Sequence, residues 1–246
     1  MLLTIDIGNT NVVCAVFDND NLVESVRIES DLNFWSEFQP LSEHQIDGIV
    51  ISSVVPYLTK IYSEASKNIF DIFPIVVSVE NSGLLYNVDD PSEVGADRIC
   101  NCVATIENIG SPAIVVDFGT ATTYDVIDEK QTFIGGAIAP GIDVSARYLF
   151  EKAALLRDTA FTFPEKVVGK NTKTNLQSGI MFSAIDEVEG MVKRIKTEME
   201  WNDVNVVLTG GFGKLVSPKL TIKHSLVPSL TLDGMRLIYF ENTSSN

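Results

Sequence analysis

The segment Thr4-Ile5-Asp6-Ile7-Gly8-Asn9-Thr10-Asn11-Val12-Val13 returns, altered, as Val115-Val116-Asp117-Phe118-Gly119-Thr120-Ala121-Thr122-Thr123-Tyr124. Both copies read as an apolar strand, an Asp-x-Gly turn and a second strand. Asp6 and Asp117 stand close to half the length of the 246-residue chain apart. Self-similarity at such a separation is the mark of a duplicated fold. The expected organisation is two related halves, 1–112 and 113–246, facing each other across a cleft.

The pattern around the echoes fits an α/β chain. Hydrophobic periodicity predicts strands over 2–7, 11–18 and 22–28, then a variable amphipathic stretch and a buried strand within Asp47–Val55. Pro56 opens a helix to about Phe70, residues 74–79 read as a strand, and Pro91 to about Glu107 reads as helix. The second half gives strands near 113–117, 122–127 and 132–138 and a helix from Asp143 to about Leu156. A long helix from about Leu176 to Met199 follows, then the strand Val204–Thr209 and the turn Gly210-Gly211-Phe212-Gly213. Strands alternating with helices imply mixed sheets flanked by helices. Asn242–Asn246 reads as a disordered tail.

Charge narrows the partners. Asp and Glu number 33 against 18 Lys and Arg, a net charge of -15, so a general attraction to nucleic acid or to an anionic membrane face meets self-repulsion. No run is long and apolar enough to span a bilayer. The opening Met1-Leu2-Leu3-Thr4-Ile5-Asp6 has no basic region of a signal peptide. Cys14, Cys100 and Cys102 suggest no disulfide framework. The expectation is a cytoplasmic protein with no nucleic-acid and no membrane partner. An anionic ligand such as ATP then needs local positive field from backbone amides, a helix N-terminus or a bound cation.

Two turns offer that field. In Asp6-Ile7-Gly8-Asn9-Thr10-Asn11, Gly8 permits positive φ and close backbone approach, and successive amides can face phosphate oxygens. Asp6, ending a buried strand, can hold a hydrated Mg²⁺ beside the phosphates. A plain hairpin turn explains the same residues. The second turn, Asp117-Phe118-Gly119-Thr120-Ala121-Thr122, would close on the nucleotide with Thr120, while Asp117 sits where a further cation can be held. No Walker A spacing competes. Gly210-Gly211-Phe212-Gly213 fits adenine against backbone and fits an ordinary helix entry equally well.

The segment Pro91-Ser92-Glu93-Val94-Gly95-Ala96-Asp97-Arg98 sets an acid beside a base at a helix start. Asp97 can accept a proton from a substrate hydroxyl and Arg98 can pair with a substrate carboxylate; a surface ion pair is the plainer account. Capping explains Gly169-Lys170-Asn171-Thr172-Lys173-Thr174-Asn175 and leaves Thr172 as a candidate ligand contact. His44 and His224 are isolated, and Cys100 with Cys102 fits helix packing better than a metal pair.

Together, Asp6-Ile7-Gly8-Asn9-Thr10, Pro91 to Arg98, Asp117-Phe118-Gly119-Thr120-Ala121-Thr122 and Gly135-Gly136-Ala137-Ile138-Ala139-Pro140-Gly141 resemble the motifs of the type III pantothenate kinases, members of the acetate and sugar kinase and actin superfamily. Gly169 to Thr172 and Leu208-Thr209-Gly210-Gly211 extend the likeness along nearly the whole chain. The resemblance implies an α/β fold of duplicated actin-like, ribonuclease H-like ATPase domains with mixed sheets flanked by helices, and a cleft between the halves. It implies ATP-dependent phosphorylation of pantothenate to 4′-phosphopantothenate, the first step of coenzyme A biosynthesis, with Mg²⁺ and K⁺ or NH₄⁺ as cofactors, in a homodimer. By resemblance Asp97 is the proton acceptor, and Gly95, Ala96, Asp97, Arg98 and Thr172 take pantothenate. Asp6, Ile7, Gly8, Asn9, Thr10, Asn11, Val12, Val13 and Thr120 take ATP, and Asp117 takes the monovalent cation. Val88 stands where many relatives place Tyr, and Tyr86 is not assumed to replace it. The resemblance leaves two further readings: a catalytically inactive nucleotide-binding regulatory or accessory protein of this fold, and a kinase for another small hydroxyl or carboxylate substrate.

Overall fold

The computed structural model describes residues 1–30, 38–153 and 155–244. The chain forms two compact units, one gathering Met1–Ile109, Gln131–Phe133 and Ser229 onward, the other Gly110–Lys130 and Ile134–Pro228.

The first unit is built on strands β1 (Leu2–Ile7), β2 (Asn11–Asp18), β3 (Asn21–Glu29), β4 (Gly48–Ser53) and β5 (Ile75–Val76), in the order β3-β2-β1-β4-β5. β1 runs antiparallel to β2 and parallel to β4, so it is central and reads as a nearly unbroken apolar run. Its odd residues Leu3, Ile5 and Ile7 join Ile49, Ile51, Phe38, Leu58 and Tyr62 in one core. Helix α1 (Pro56–Phe70) covers that face; Pro56 stands in its first turn and Asp71, at φ 58°, ends it in the left-handed conformation. The expected strand over 74–79 shortens to β5. After β3 the amphipathic stretch falls partly on 31–37, outside the described residues, and Gln39–Glu43 is a 3₁₀ turn. The helix expected from Pro91 resolves into a 3₁₀ turn, Pro91–Glu93, and α2 (Ala96–Asn108). The break falls at Val94-Gly95, both extended.

The second unit repeats the plan with β7 (Ala113–Phe118), β8 (Ala121–Ile127), β9 (Thr132–Pro140), β10 (Asn205–Gly210) and β11 (Ser225–Leu226), ordered β11-β10-β7-β8-β9. β7 is antiparallel to β8 and parallel to β10, as β1 is to β2 and β4. A further short strand, β6 (Leu85–Tyr86), pairs in parallel with Thr132 and Phe133, which cluster with the first unit. Helix α3 (Ile142–Lys152) stops short of the expected Leu156. Helix α4 (Thr172–Glu198) starts earlier than expected because Asn171 and Thr174 form a reciprocal capping box. Its Ile185, Val188 and Val192 pack on Val116, Val126 and Leu208. A single turn, α5 (Gly213–Val216), follows β10.

The sequence reading missed the C-terminal helix α6 (Leu230–Ser244), which belongs to the first unit. Asn242–Ser244 are its last turn rather than a disordered tail, and residues 245–246 lie outside the described set. Gly234 of α6 meets α2 so closely that a Cβ there would stand 1.9 Å from the Cys100 carbonyl oxygen. Among the described residues no helix is long and apolar enough to cross a membrane.

Candidate active site

The duplication extends to individual hydrogen bonds. Gly8 N donates to Asn11 O at 3.0 Å, and Gly119 N to Ala121 O at 3.0 Å. Ser30 N donates to Thr10 O at 3.0 Å, and Gly141 N to Thr120 O at 3.1 Å. Beyond the ends of β4 and β10, Val54 N reaches Ile7 O at 3.1 Å and Gly211 N reaches Phe118 O at 3.0 Å. The burial patterns of β1 and β7 are identical, with Asp6 and Asp117 the half-buried residues in otherwise buried strands.

These bonds refine the sequence alignment. Ile7 pairs with Val12 while Phe118 pairs with Thr122, so the second turn is one residue shorter. Thr120 therefore takes the place of Thr10, not of Asn9. Gly8 is needed for a reason other than positive φ, since it is not among the glycines in the left-handed region. A Cβ on it would press to 3.1 Å from the Asn11 carbonyl oxygen that closes the turn. Asn9, Thr10, Gly119 and Thr120 are exposed at the tips, so the turns present backbone amides and short polar side chains to a ligand.

In the first unit Asp6 sits opposite Ser52 on β4, and Ser52 Oγ donates to Asp6 Oδ1 at 3.0 Å. Gly95 precedes α2, placing Asp97 in its first turn, where the helix N-terminus favours a negative charge. Asp97 Oδ1 accepts from the Arg98 amide at 2.8 Å. Its surface stays partly open to solvent, yet burial pushes its carboxyl above the ordinary range, against the lowering pull of the Arg98 amide and guanidinium. A raised carboxyl suits a proton acceptor, because basicity rises with pKa. Arg98 lies over the Phe133 ring at 5.3 Å, and Tyr86 meets that ring edge-on at 6.2 Å. The Tyr86 hydroxyl bonds Ser82 at 2.9 Å, and burial lifts its pKa to about 12.

The structure brings Asp6 and Asp97 together around one thiol. Cys100, one turn along α2 from Asp97, is fully buried, and burial pushes its thiol well up, with the charges of Asp6 and Asp97 adding to the effect. Asp6 also raises Cys14. Sequence reasoning missed Ser52 and Cys100. The available signal was a Ser in the otherwise apolar β4, at the register of Asp6.

In the second unit Asp117 pairs with Thr209, and a Cβ on Gly210 would stand 2.3 Å from Asp117 Oδ1. Gly141 is constrained likewise: a Cβ would come within 2.4 Å of the Thr120 carbonyl oxygen. Thr172 opens α4 as an exposed first-turn residue. Two surface hollows lie elsewhere. One of about 780 Å³ is lined by Lys193, Lys196 and Trp201 of the second unit, and one of about 360 Å³ by Lys60, Lys67 and Phe73 of the first.

Among the described residues no three His, Cys, Asp or Glu side chains form a metal cage. A lone strand-end carboxylate such as Asp6 fits Mg²⁺, which keeps several waters and takes its remaining oxygens from phosphates.

A family model described as type III pantothenate kinase matches residues 2–194. A type III pantothenate kinase from Moorella thermoacetica is 41% identical over 99% of this chain and 100% of its own length. Among solved structures, a conserved Baf family protein from Campylobacter jejuni, described as a transcriptional activator, superposes with TM-score 0.65 at 21% identity, covering 98% and 99% of the two chains. A Sinorhizobium meliloti protein described as a 2-dehydro-3-deoxygalactonokinase superposes with TM-score 0.58 at 10% identity, covering 98% and 96%. At these identities the likeness is one of fold, the actin-like fold shared with sugar kinases.

Proposed function

Because the chain belongs to the type III pantothenate kinase family, we propose that it transfers the γ-phosphoryl group of ATP to the primary hydroxyl of pantothenate, giving 4′-phosphopantothenate and ADP for coenzyme A biosynthesis. The observation that carries the residue assignment is the common environment of Asp6 and Asp97 beside Cys100. It puts a carboxylate suited to the nucleotide and one suited to the acceptor on elements of one packed unit.

Asp97 takes the hydroxyl proton as that oxygen attacks the γ-phosphorus; the bond to the β,γ-bridging oxygen breaks and its electron pair leaves with ADP. Asp6 to Val13 and Thr120 hold the phosphates through backbone amides and hydroxyls. Gly95, Ala96, Asp97, Arg98 and Thr172 receive pantothenate, with Arg98 pairing its carboxylate. Mg²⁺ near Asp6 and a monovalent cation, K⁺ or NH₄⁺, at Asp117 supply charge that offsets the phosphates. Each half, 1–112 and 113–246, contributes one Asp-x-Gly turn. Three buried free cysteines suit a reducing cytoplasm, and the active form is assigned as a homodimer.

The test is ADP release with pantothenate, with and without K⁺, from wild type and Asp97→Asn. Pantothenate-dependent, K⁺-stimulated turnover that collapses in Asp97→Asn is the expected result. Wild-type protein that binds ATP without turnover returns the chain to an accessory role, and full activity in Asp97→Asn removes the assigned base.

A further inference from the structure

Ser52 and Cys100 are fully buried, and neither is needed to fill an apolar core. Ser52 lies on β4 at the register of Asp6; Cys100 lies on α2, three residues after Asp97, so the two share a helix face. Ser52 Oγ donates to Asp6 Oδ1 at 3.0 Å and is also hydrogen-bonded to the Cys100 thiol. A serine hydroxyl has one proton. Since that proton goes to Asp6, the bond to Cys100 must be S–H donating to Ser52 Oγ.

We propose that Ser52 and Cys100 are positioning residues, a buried thiol-to-hydroxyl-to-carboxylate relay that fixes Asp6 Oδ1 relative to the helix carrying Asp97. The proposal rests on the assignment of Asp6 to Mg²⁺ and nucleotide. Four observations support it. A cysteine is a thiol at neutral pH, and burial with two nearby carboxylates holds Cys100 in that form, so it always has a proton to give. The relay joins two elements rather than neighbours in sequence, which is the requirement for holding a metal-bound phosphate chain and an acceptor hydroxyl in register. Cys100 is itself clamped, because the close approach of Gly234 and the Thr231 hydroxyl donating to Asn101 Oδ1 at 2.8 Å pin α2 at this turn. Finally, the second unit places a hydroxyl residue, Thr209, at the same register opposite Asp117.

That last relation supplies the control. A hydroxyl at position 52 is what the relay needs, so threonine should serve where alanine fails. Equilibrium binding is measured by calorimetry for ATP with Mg²⁺ and for ATP with EDTA. The proteins are wild type, Ser52→Ala, Ser52→Thr, Cys100→Ala and Cys100→Ser, each followed also by thermal unfolding.

We expect Ser52→Ala to bind Mg·ATP about tenfold more weakly, the scale of losing one hydrogen bond to a charged group, while ATP in EDTA is affected less. Ser52→Thr should restore Mg·ATP affinity. Cys100→Ala should lose a few-fold and Cys100→Ser, which keeps a donor, should regain it. Equal affinities in Ser52→Ala and wild type overturn the relay. So does an equal loss in the alanine and the hydroxyl-bearing variants, which would mark a packing role. If Ser52→Ala does not fold, the Cys100→Ala and Cys100→Ser pair decides alone. Wild type that binds Mg·ATP but does not turn over pantothenate ends the kinase reading and leaves the relay standing. Wild type that fails to bind Mg·ATP ends the relay.

Discussion

The α-carbon of Gly210 lies against the carboxylate of Asp117, with room for hydrogen and nothing larger: a Cβ would stand 2.3 Å from Asp117 Oδ1 and 2.6 Å from Phe118 N. Gly210 also has φ 83°, which disfavours any side chain by about 1–2 kcal/mol. Gly210→Ala should therefore lower unfolding stability by about 2 kcal/mol or more, measured in urea. By displacing Asp117 it should also weaken activation by K⁺. A variant that is destabilised yet keeps the wild-type K⁺ response would free Asp117 from its cation assignment.

Asp97 couples activity and stability in opposite senses. Burial raises its folded pKa above the unfolded value, so folding favours the protonated form. Its contribution is favourable below the unfolded pKa and is lost as pH rises through the folded one. Asp97→Asn, uncharged at every pH, should thus melt higher than wild type at pH 7, and the gap should close as pH falls into the carboxylate range. Turnover should drop about 10²-fold or more, the scale of losing a general base. Thermal melts at pH 7 and pH 4 with ADP-release assays check both signs.

Much of this was legible in the sequence because strand periodicity and turn chemistry are local. The intervals 2–7 and 11–18 and the helix from Pro56 to Phe70 read directly from apolar spacing and a first-turn proline. The early start of α4 was carried by Asn171 and Thr174, a reciprocal pair that departs from the usual Ser/Thr-x-x-Glu form. Helix α6 escaped because Gly234 and three threonines weaken its helical pattern, and its stability comes from docking on α2. At the site, Asp6, Asp97 and Asp117 announce themselves as polar residues where chain geometry is special. Ser52 does not, since its meaning lies in the register of β4 against β1.

The α2–α6 contact sets a separate test of the first unit. Even a methyl on Gly234 would fall 1.9 Å from Cys100 O and 2.5 Å from Cys100 C, both rigid backbone atoms. Gly234→Val has to push the helices apart, at about 1–3 kcal/mol for overpacking. Because the wedge opens at Cys100, Mg·ATP affinity should fall along with the melting temperature. Unchanged melting would mean that α6 does not dock as described.

Arg98 is held over Phe133 at 5.3 Å, which fixes the plane of the guanidinium before any ligand arrives. If its task is to grip the pantothenate carboxylate, two parallel N–H donors matter as much as charge. Arg98→Lys keeps the charge and loses the fork, so KM for pantothenate should rise about tenfold while kcat changes little, a pattern of lost ground-state binding. Phe133→Leu leaves the guanidinium intact but unsupported, and a smaller rise in KM of the same character is expected. A fall in kcat with unchanged KM in Arg98→Lys would instead place the guanidinium on the transferring phosphoryl group, where charge develops in the transition state.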